Sequence, residues 1–220
     1  MGVPVLILGE SGSGKSYSLK NFDSKEVAIF NVTSKLLPFR KKFPMLANNC
    51  SYAGIIKKLK ENKYKTYVID DSQYLMAFEM FNRAKEQGYG KFTDIAINFK
   101  ELLDVVMKDT SDDTIVYFLH HSEETQSGKT KMKTVGKMLN EQLTVEGFFT
   151  IVLMTEIKNG EHKFITQSDG TNPCKCPEEM FEKEIKNDLK FVDDTIREYY
   201  EMKIDKKVVT KKEPELKEDK

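Results

Sequence analysis

Eight residues near the amino end, Gly9-Glu10-Ser11-Gly12-Ser13-Gly14-Lys15-Ser16, satisfy G-x-x-x-x-G-K-[ST] at every position. Glycines in that spacing let the backbone curl until successive N–H groups point inward and form a nest for an anion. A helix opening at Lys15 would aim the positive end of its dipole at the same point. Lys15 adds a full charge able to reach the β- and γ-phosphates of a nucleotide, and the Ser16 hydroxyl is suited to ligate Mg²⁺. Such a loop must be fed by a strand and left by a helix. Residues 3–8, Val-Pro-Val-Leu-Ile-Leu, read as a buried strand in which Pro4 is tolerable only near the start. A helix from Lys15 to about Asn21 is expected next. A merely flexible Gly-Ser turn would have no need of Lys-Ser in this register. The candidate nucleotide-binding set is therefore Gly9, Glu10, Ser11, Gly12, Ser13, Gly14, Lys15 and Ser16, with Tyr17 beside them.

The rest of the chain alternates strand-like and helix-like patterns. Val27 to Val32 is a second apolar run of strand length. Ser51 reads as the N-cap of a helix whose apolar positions Tyr52, Ile55, Ile56 and Leu59 recur at helical spacing. Thr66 to Ile69 is a third strand, followed by helices near 73–86 and 93–108 around the breaker Gly88-Tyr89-Gly90. Thr114 to Leu119 is a fourth strand. Residues 122–133 are polar almost throughout and predict a long mobile loop, with a short helix near 135–143 beyond it. Runs 148–158 and 162–167 flank Asn159-Gly160, a strong hairpin signal because both residues tolerate positive φ. Pro177 with Glu178 and Glu179 suits a helix start, and the helical pattern resumes from Asp188 to Tyr200. Strands alternating with helices predict a three-layer α/β fold around a mainly parallel central sheet, with the late hairpin as an antiparallel edge. The domain is expected over 1–201, and 202–220, rich in Lys and Glu, as a charged, disordered tail.

Open α/β sheets place their ligands beyond the carboxyl ends of the strands. Thr66-Tyr67-Val68-Ile69-Asp70-Asp71 supplies an apolar strand ending in acid. Asp70 is expected to hold Mg²⁺ through water opposite Ser16, and Asp71 to orient or deprotonate an attacking water. Alone, both would read as strand-end or helix-capping aspartates; the intact glycine-rich loop favours the metal reading for Asp70 and leaves Asp71 open. His120 and His121 end the fourth strand on the same sheet edge. Side chains alternate across a strand, so one of the two should face a nucleotide, where it could sense the γ-phosphate. The plain alternative is a histidine satisfied by hydrogen bonds at a strand end. His162, in the hairpin, carries no signal.

Composition limits the partners. Lys and Arg total 35 and Asp and Glu 35, so a broadly basic nucleic-acid coat is excluded, though a local patch is not. Lys129, Lys131 and Lys133 punctuate the 122–133 segment and suit contact with a nucleic-acid backbone, or equally an ordinary solvated surface. Ser127-Gly128-Lys129-Thr130 is not a second phosphate loop, because Glu123 stands where a glycine is required. Only three of the cationic residues are arginines, Arg40, Arg83 and Arg197, so phosphate chemistry here must lean on lysine. The three cysteines, Cys50, Cys174 and Cys176, read as reduced cytoplasmic thiols. Cys174-Lys175-Cys176 lacks the further ligands of a zinc site, whereas Lys175 on an exposed turn could act across a subunit boundary. No apolar run reaches the length of a membrane span, and the first residues lack a secretion-signal pattern.

With the phosphate loop after the first strand and the acidic pair after the third, the chain resembles the RecA/AAA branch of P-loop ATPases. More closely it is similar to small phage-encoded RecA-like ATP-binding proteins, including those implicated in single-strand DNA annealing recombination. The likeness spans roughly residues 3–200. It rests on Gly9–Ser16, Val68–Asp71, His120-His121, Val135-Gly136-Lys137-Met138-Leu139, Lys175-Cys176-Pro177 with Met180-Phe181, and Asn187-Asp188-Leu189. It implies a P-loop NTPase core of RecA-like type that self-assembles, binds ATP and Mg²⁺ at subunit interfaces and acts on single-stranded DNA in recombination or replication. It further implies a γ-phosphate sensor at His120 or His121 and a lysine, Lys175, completing a neighbour's site. The chain departs from typical recombinases in lacking a separate DNA-binding domain and an aromatic row in its basic segment. Two other readings follow from the same residues: an ATP-gated assembly or adaptor protein without nucleic acid, and a nucleotide kinase, which the scarcity of arginine disfavours.

Overall fold

The computed structural model describes residues 1–202; the charged tail expected from 202 onward lies, apart from Met202, outside the described residues. The strands are β1 (Val3–Gly9), β2 (Val27–Asn31), β3 (Leu46–Asn48), β4 (Thr66–Asp70), β5 (Ile115–Glu124), β6 (Thr130–Met132), β7 (Ile151–Lys158), β8 (Glu161–Ile165) and β9 (Glu184–Lys186). The α-helices are α1 (Tyr52–Lys60), α2 (Gln73–Asn82), α3 (Gly90–Asp109) and α4 (Leu189–Tyr199). All nine strands join one sheet in the order β3-β2-β4-β5-β1-β7-β8-β9, with β6 paired to the far end of β5. From β3 to β7 every neighbour is parallel; β8 and β9 close that side antiparallel, and β6 is antiparallel to β5.

The continuous apolar runs are explained by burial on both faces. Leu6, Leu8, Phe30, Ile69 and Phe118 pack toward α1, α2 and α3 through Ile55, Leu59, Leu75, Phe99 and Leu103. Their strand neighbours Val5, Ile7, Ile29, Val68 and Leu119 pack the other way, against Leu19, Leu189, Val192 and Ile196. Each fully buried side chain of this kind contributes about 1.5–3 kcal/mol. The Ser51 hydroxyl caps α1 by accepting from Gly54 N at 3.3 Å, and Asp188 caps α4 by accepting from Lys190 N and Phe191 N. At the amino-terminal edge of the sheet, α4 is locked down by a buried ion pair. Arg197 Nε lies 2.7 Å from Asp193 Oδ2, and its guanidinium also donates to Asp113 O, Lys65 O and Thr66 Oγ1. Asn159 and Gly160 both have positive φ, 53° and 79°, joining β7 to β8 as a tight hairpin.

Four local expectations are corrected. The helix expected from Lys15 is a six-residue 3-10 helix, Ser16–Asn21. Ser18 Oγ bonds back to Lys15 O at 2.6 Å, Lys41 Nζ takes Lys20 O, and Phe22 turns into the core with ψ 141°, so no longer helix propagates. The 122–133 segment is a hairpin instead of a mobile loop: β5 runs on to Glu124 and returns as β6 through a turn in which Thr125 N donates to Lys129 O. Its one apolar anchor, Met132, is buried, and Met132 N donates to Glu146 Oε1 at 2.6 Å. No helix starts at Pro177, because Met180 is drawn into the core and Glu179 takes φ +37°. The short helix expected over 135–143 shrinks to one π turn, Met138–Gln142, just after Gly136 at φ +88°.

Candidate functional site

Strand register assembles the site. Gly9, ending β1, lies opposite His121 on β5, while β4 flanks β5 on its other side and ends in Asp70. Because β5 stands between β1 and β4, its end comes between the glycine-rich turn and the acidic pair. These groups share a cleft of about 370 Å³ at the carboxyl edge of the parallel strands, with Lys15, Ser16, Asp70, Asp71 and His121 in its wall. Among the candidate nucleotide-binding residues, Ser11, Gly12, Gly14 and Tyr17 also line this cleft.

Lys15 is only 5% exposed, and its ammonium donates to Gly9 O and Glu10 O, each at 2.8 Å. Burial pulls its pKa down to about 8, against the attraction of Asp71 and Asp70. A buried cation whose only hydrogen-bond acceptors are backbone carbonyls of its own loop is a strong anion receptor. The turn itself is clamped from outside. His162 Nδ1 lies 2.8 Å from Ser13 O, so that nitrogen carries the proton, and Asn187 Nδ2 donates to Gly14 O at 3.1 Å. Gly14 has φ +104°, and a Cβ there would stand 2.3 Å from Asn187 Nδ2 and 2.8 Å from His162 Nδ1. The Ser13 and Thr155 hydroxyls sit 2.6 Å apart, tying the turn to β7. Since the following helix is one short 3-10 segment, the anion-attracting power lies in the loop amides and Lys15 rather than in a long helix dipole.

Ser16 Oγ donates to Asp70 Oδ1 at 2.8 Å. Burial pushes the Asp70 carboxyl up to about 6; the Ser16 hydroxyl opposes this and the Asp71 charge adds to it. An all-oxygen pair of this kind matches a hard cation that takes its remaining ligands from phosphate and water, so the residues fit Mg²⁺. Among the described residues no three His, Cys, Asp or Glu side chains converge as a self-sufficient metal site.

Asp71 follows β4 in the left-handed region, φ +60°. Its Oδ2 accepts from Thr33 Oγ1 at 2.7 Å and Lys35 Nζ at 3.2 Å. His121 Nε2 lies 3.3 Å from Oδ1, out of line for a hydrogen bond. Burial works against the charged carboxylate, but the contacts with His121, Thr33 and Lys35 outweigh it and hold Asp71 well below the usual carboxylate range.

The histidine pair divides. His121 faces the cleft and packs edge-on against Tyr74, with ring centroids 5.7 Å apart. His120 is 0% exposed, and neither ring nitrogen is free. Its Nε2 meets Lys133 O at 2.7 Å and its Nδ1 meets Ser72 Oγ at 2.8 Å. A carbonyl only accepts, so Nε2 carries the proton. Burial pulls its pKa down to about 3. His120 is thus a neutral internal brace between β5, the start of α2 and the end of the β5–β6 hairpin, and of the two histidines it is His121 that faces the cleft.

Other candidates fall outside the cleft. Lys175 pairs its backbone with Val152 on β7, Val152 N donating to Lys175 O at 2.8 Å, and is not among the cleft residues. Lys131 is committed to Glu123 at 3.2 Å and to Asn140, whereas Lys129 and Lys133 are exposed. Cys174 is buried, which pushes its thiol up to about 12, so it offers no ready thiolate for metal. Conversely, Thr33, Lys35 and His162 reach the loop or its acidic partner without a site role in the sequence reading, and Asn187, part of the Asn187-Asp188-Leu189 stretch, does so without having been expected to touch the loop. Thr33 and Lys35 follow shortly after the carboxyl end of β2, a position the sheet-edge rule could have flagged; His162 and Asn187 are brought to the loop by tertiary packing, which no local pattern places there. Among the described residues no helix is long and apolar enough to cross a membrane. No family model matches the sequence, and no curated protein matches it.

Proposed function

We propose that this chain is a Mg²⁺-dependent ATPase of the RecA-like P-loop type that assembles with copies of itself and acts on single-stranded DNA. The observation that carries the nucleotide part is the buried Lys15 ammonium inside a glycine-rich turn, one strand away from a carboxylate already bonded to Ser16. In this reading the loop amides and Lys15 hold the β- and γ-phosphates, Lys15 exchanging two carbonyl partners for phosphate oxygens. Mg²⁺ bound by Ser16 and Asp70 would neutralise charge on the phosphate oxygens. Asp71, a carboxylate in the cleft wall next to Asp70, is the group that orients the attacking water or takes its proton. The water oxygen bonds to the γ-phosphorus, and the bond to the bridging oxygen breaks with its electron pair left on ADP. The water's proton goes, directly or through Asp71, to inorganic phosphate or solvent. His121, beside Asp71 on β5, is the group positioned to register loss of the γ-phosphate.

The DNA part is supported by the β5–β6 hairpin, which continues the strand carrying His121 and exposes Lys129 and Lys133. Native mass measurement with and without ATP-Mg²⁺ and a short oligonucleotide tests assembly and DNA binding together. Multimers with bound oligonucleotide are expected, and loss of that binding in a Lys129→Ala, Lys131→Ala, Lys133→Ala variant; a monomer under every condition refutes the oligomeric reading. The reading without nucleic acid is favoured by the balanced charge and the engagement of Lys131 with Glu123, and a flat salt dependence of oligonucleotide affinity would select it. Two of the three arginines are spoken for by structure, Arg83 with Glu79, Glu86 and Asp94 and Arg197 with Asp193, which speaks against a kinase-like arginine lid.

A further inference from the structure

We infer that Lys35 is a phosphate-contacting lysine that acts within its own subunit, leaving Asp71 for the γ-phosphate when a nucleoside triphosphate enters the cleft. This rests on the nucleotide reading above. The backbone of Lys35 is fixed while its side chain is largely exposed. Asn31 Nδ2, at the end of β2, donates to Lys35 O at 2.6 Å, and neighbouring Ser34 takes φ +58° with its Oγ accepting from Asn49 N at 2.8 Å. From that anchored point the side chain is 63% exposed. It reaches into the cleft to Asp71 Oδ2 at 3.2 Å and lies 5.1 Å from the centroid of the Tyr74 ring.

The cleft's charge inventory assigns it work. Among the described residues in the cleft wall the lysines are Lys15 and Lys35, with no arginine, facing the carboxylates Asp70 and Asp71. In that reading Lys15 and Mg²⁺ serve the phosphates held in the loop, which leaves Lys35 as the remaining cationic side chain of the cleft wall for the charge that builds on the transferring group. The lysine end of the pair is exposed and single-pronged while the carboxylate is buried, and Asp71 keeps Thr33 as a partner when Lys35 leaves. Swapping a carboxylate for a more highly charged phosphate favours the move, and it uncovers the Asp71 oxygen that must meet water. Lys175, tied by its backbone to β7 outside the cleft, is not needed for this role.

The test compares wild type, Lys35→Ala and Lys35→Arg for calorimetric affinity toward Mg²⁺-bound ATP and ADP, and for single-turnover hydrolysis. Lys35→Ala should weaken ATP about tenfold while changing ADP less than about twofold, and should slow turnover on the order of 10²-fold; Lys35→Arg should restore most of the ATP preference. Retained ADP affinity shows that the variant is folded. Mixing Lys15→Ala with Lys35→Ala protein should restore no activity, since each chain lacks a group its own site requires. Restored activity on mixing, an unchanged ATP-to-ADP preference in Lys35→Ala, or loss of that preference in Lys175→Ala instead would overturn the assignment. Wild type that binds neither nucleotide would instead remove the nucleotide reading itself.

Discussion

Alanine at Gly14 should destabilise the fold by about 2–4 kcal/mol, whereas alanine at Gly12 should cost only about 1 kcal/mol. Both glycines have positive φ, +104° and +80°, so both substitutions strain the backbone. What differs is the surroundings. A Cβ at Gly12 meets nothing within 4 Å, while one at Gly14 would sit 2.3 Å from Asn187 Nδ2 and 2.8 Å from His162 Nδ1. Those side chains must swing away, and the hydrogen bonds to Gly14 O and Ser13 O go with them, each worth about 0.5–1.5 kcal/mol. For a domain of this size each kcal/mol moves Tm by about 2–4 °C. Urea denaturation followed by circular dichroism, read as a midpoint shift at constant slope, measures both variants side by side. Equal stabilities within about 0.5 kcal/mol would refute the claim that β8 and the entry to α4 clamp the loop.

Further outcomes follow from the buried charges. Arg197→Ala strands the buried Asp193 carboxylate and should cost about 3–5 kcal/mol by the same denaturation assay; a loss below about 1 kcal/mol would show that the pair does not anchor α4. His120 should stay neutral with its proton on Nε2 down to pH 5, as read from imidazole nitrogen NMR shifts. Its folded pKa of about 3 lies below the ordinary 6.5, so the unfolded chain takes up the extra proton and stability is lost as pH falls below 6.5. Below about pH 6 the raised carboxyl of Asp70 pulls the other way, because there the folded chain binds the extra proton. Removing that carboxyl in Asp70→Asn should therefore make acid destabilisation steeper than in wild type, and a shallower profile would contradict the raised carboxyl of Asp70. Phosphate contact favours the charged form of Lys15, whose pKa of about 8 leaves it partly neutral in mild alkali. ATP affinity should then hold below pH 8 and fall above it, by up to about tenfold per pH unit, with proton uptake on binding near pH 8–9. A flat profile through pH 9.5 would show that Lys15 does not meet phosphate.

The strands were legible because burial on both faces leaves runs such as Val5 to Leu8 and Ile115 to Leu119 uninterrupted by polar residues. The Asn159-Gly160 turn was equally plain, as only such residues accept its dihedral angles. The short edge strands β3, β6 and β9 were not legible, since three residues with one apolar anchor, as in Glu184–Lys186, leave no periodic trace. The helix after Ser16 failed for a different reason: local side-chain bonds from Ser18 and the pull of buried Phe22 override an acceptable helical composition. In the site, spacing found Lys15, Ser16, Asp70 and Asp71, because phosphate and metal chemistry restrict residue type. It could not separate His120 from His121, as the choice depends on which face of β5 meets Ser72. Nor could it tie His162 and Asn187 to the loop they hold, more than 140 residues away.

The most direct measurement is a calorimetric titration of wild type and Lys15→Ala with Mg²⁺-bound ATP, followed by displacement with inorganic tripolyphosphate. Wild type should bind one nucleotide per chain and release it to tripolyphosphate, because the turn at Gly9–Ser16 grips phosphates, and Lys15→Ala should give no heat. Binding that survives loss of the lysine, or wild type indifferent to millimolar nucleotide, would contradict the account.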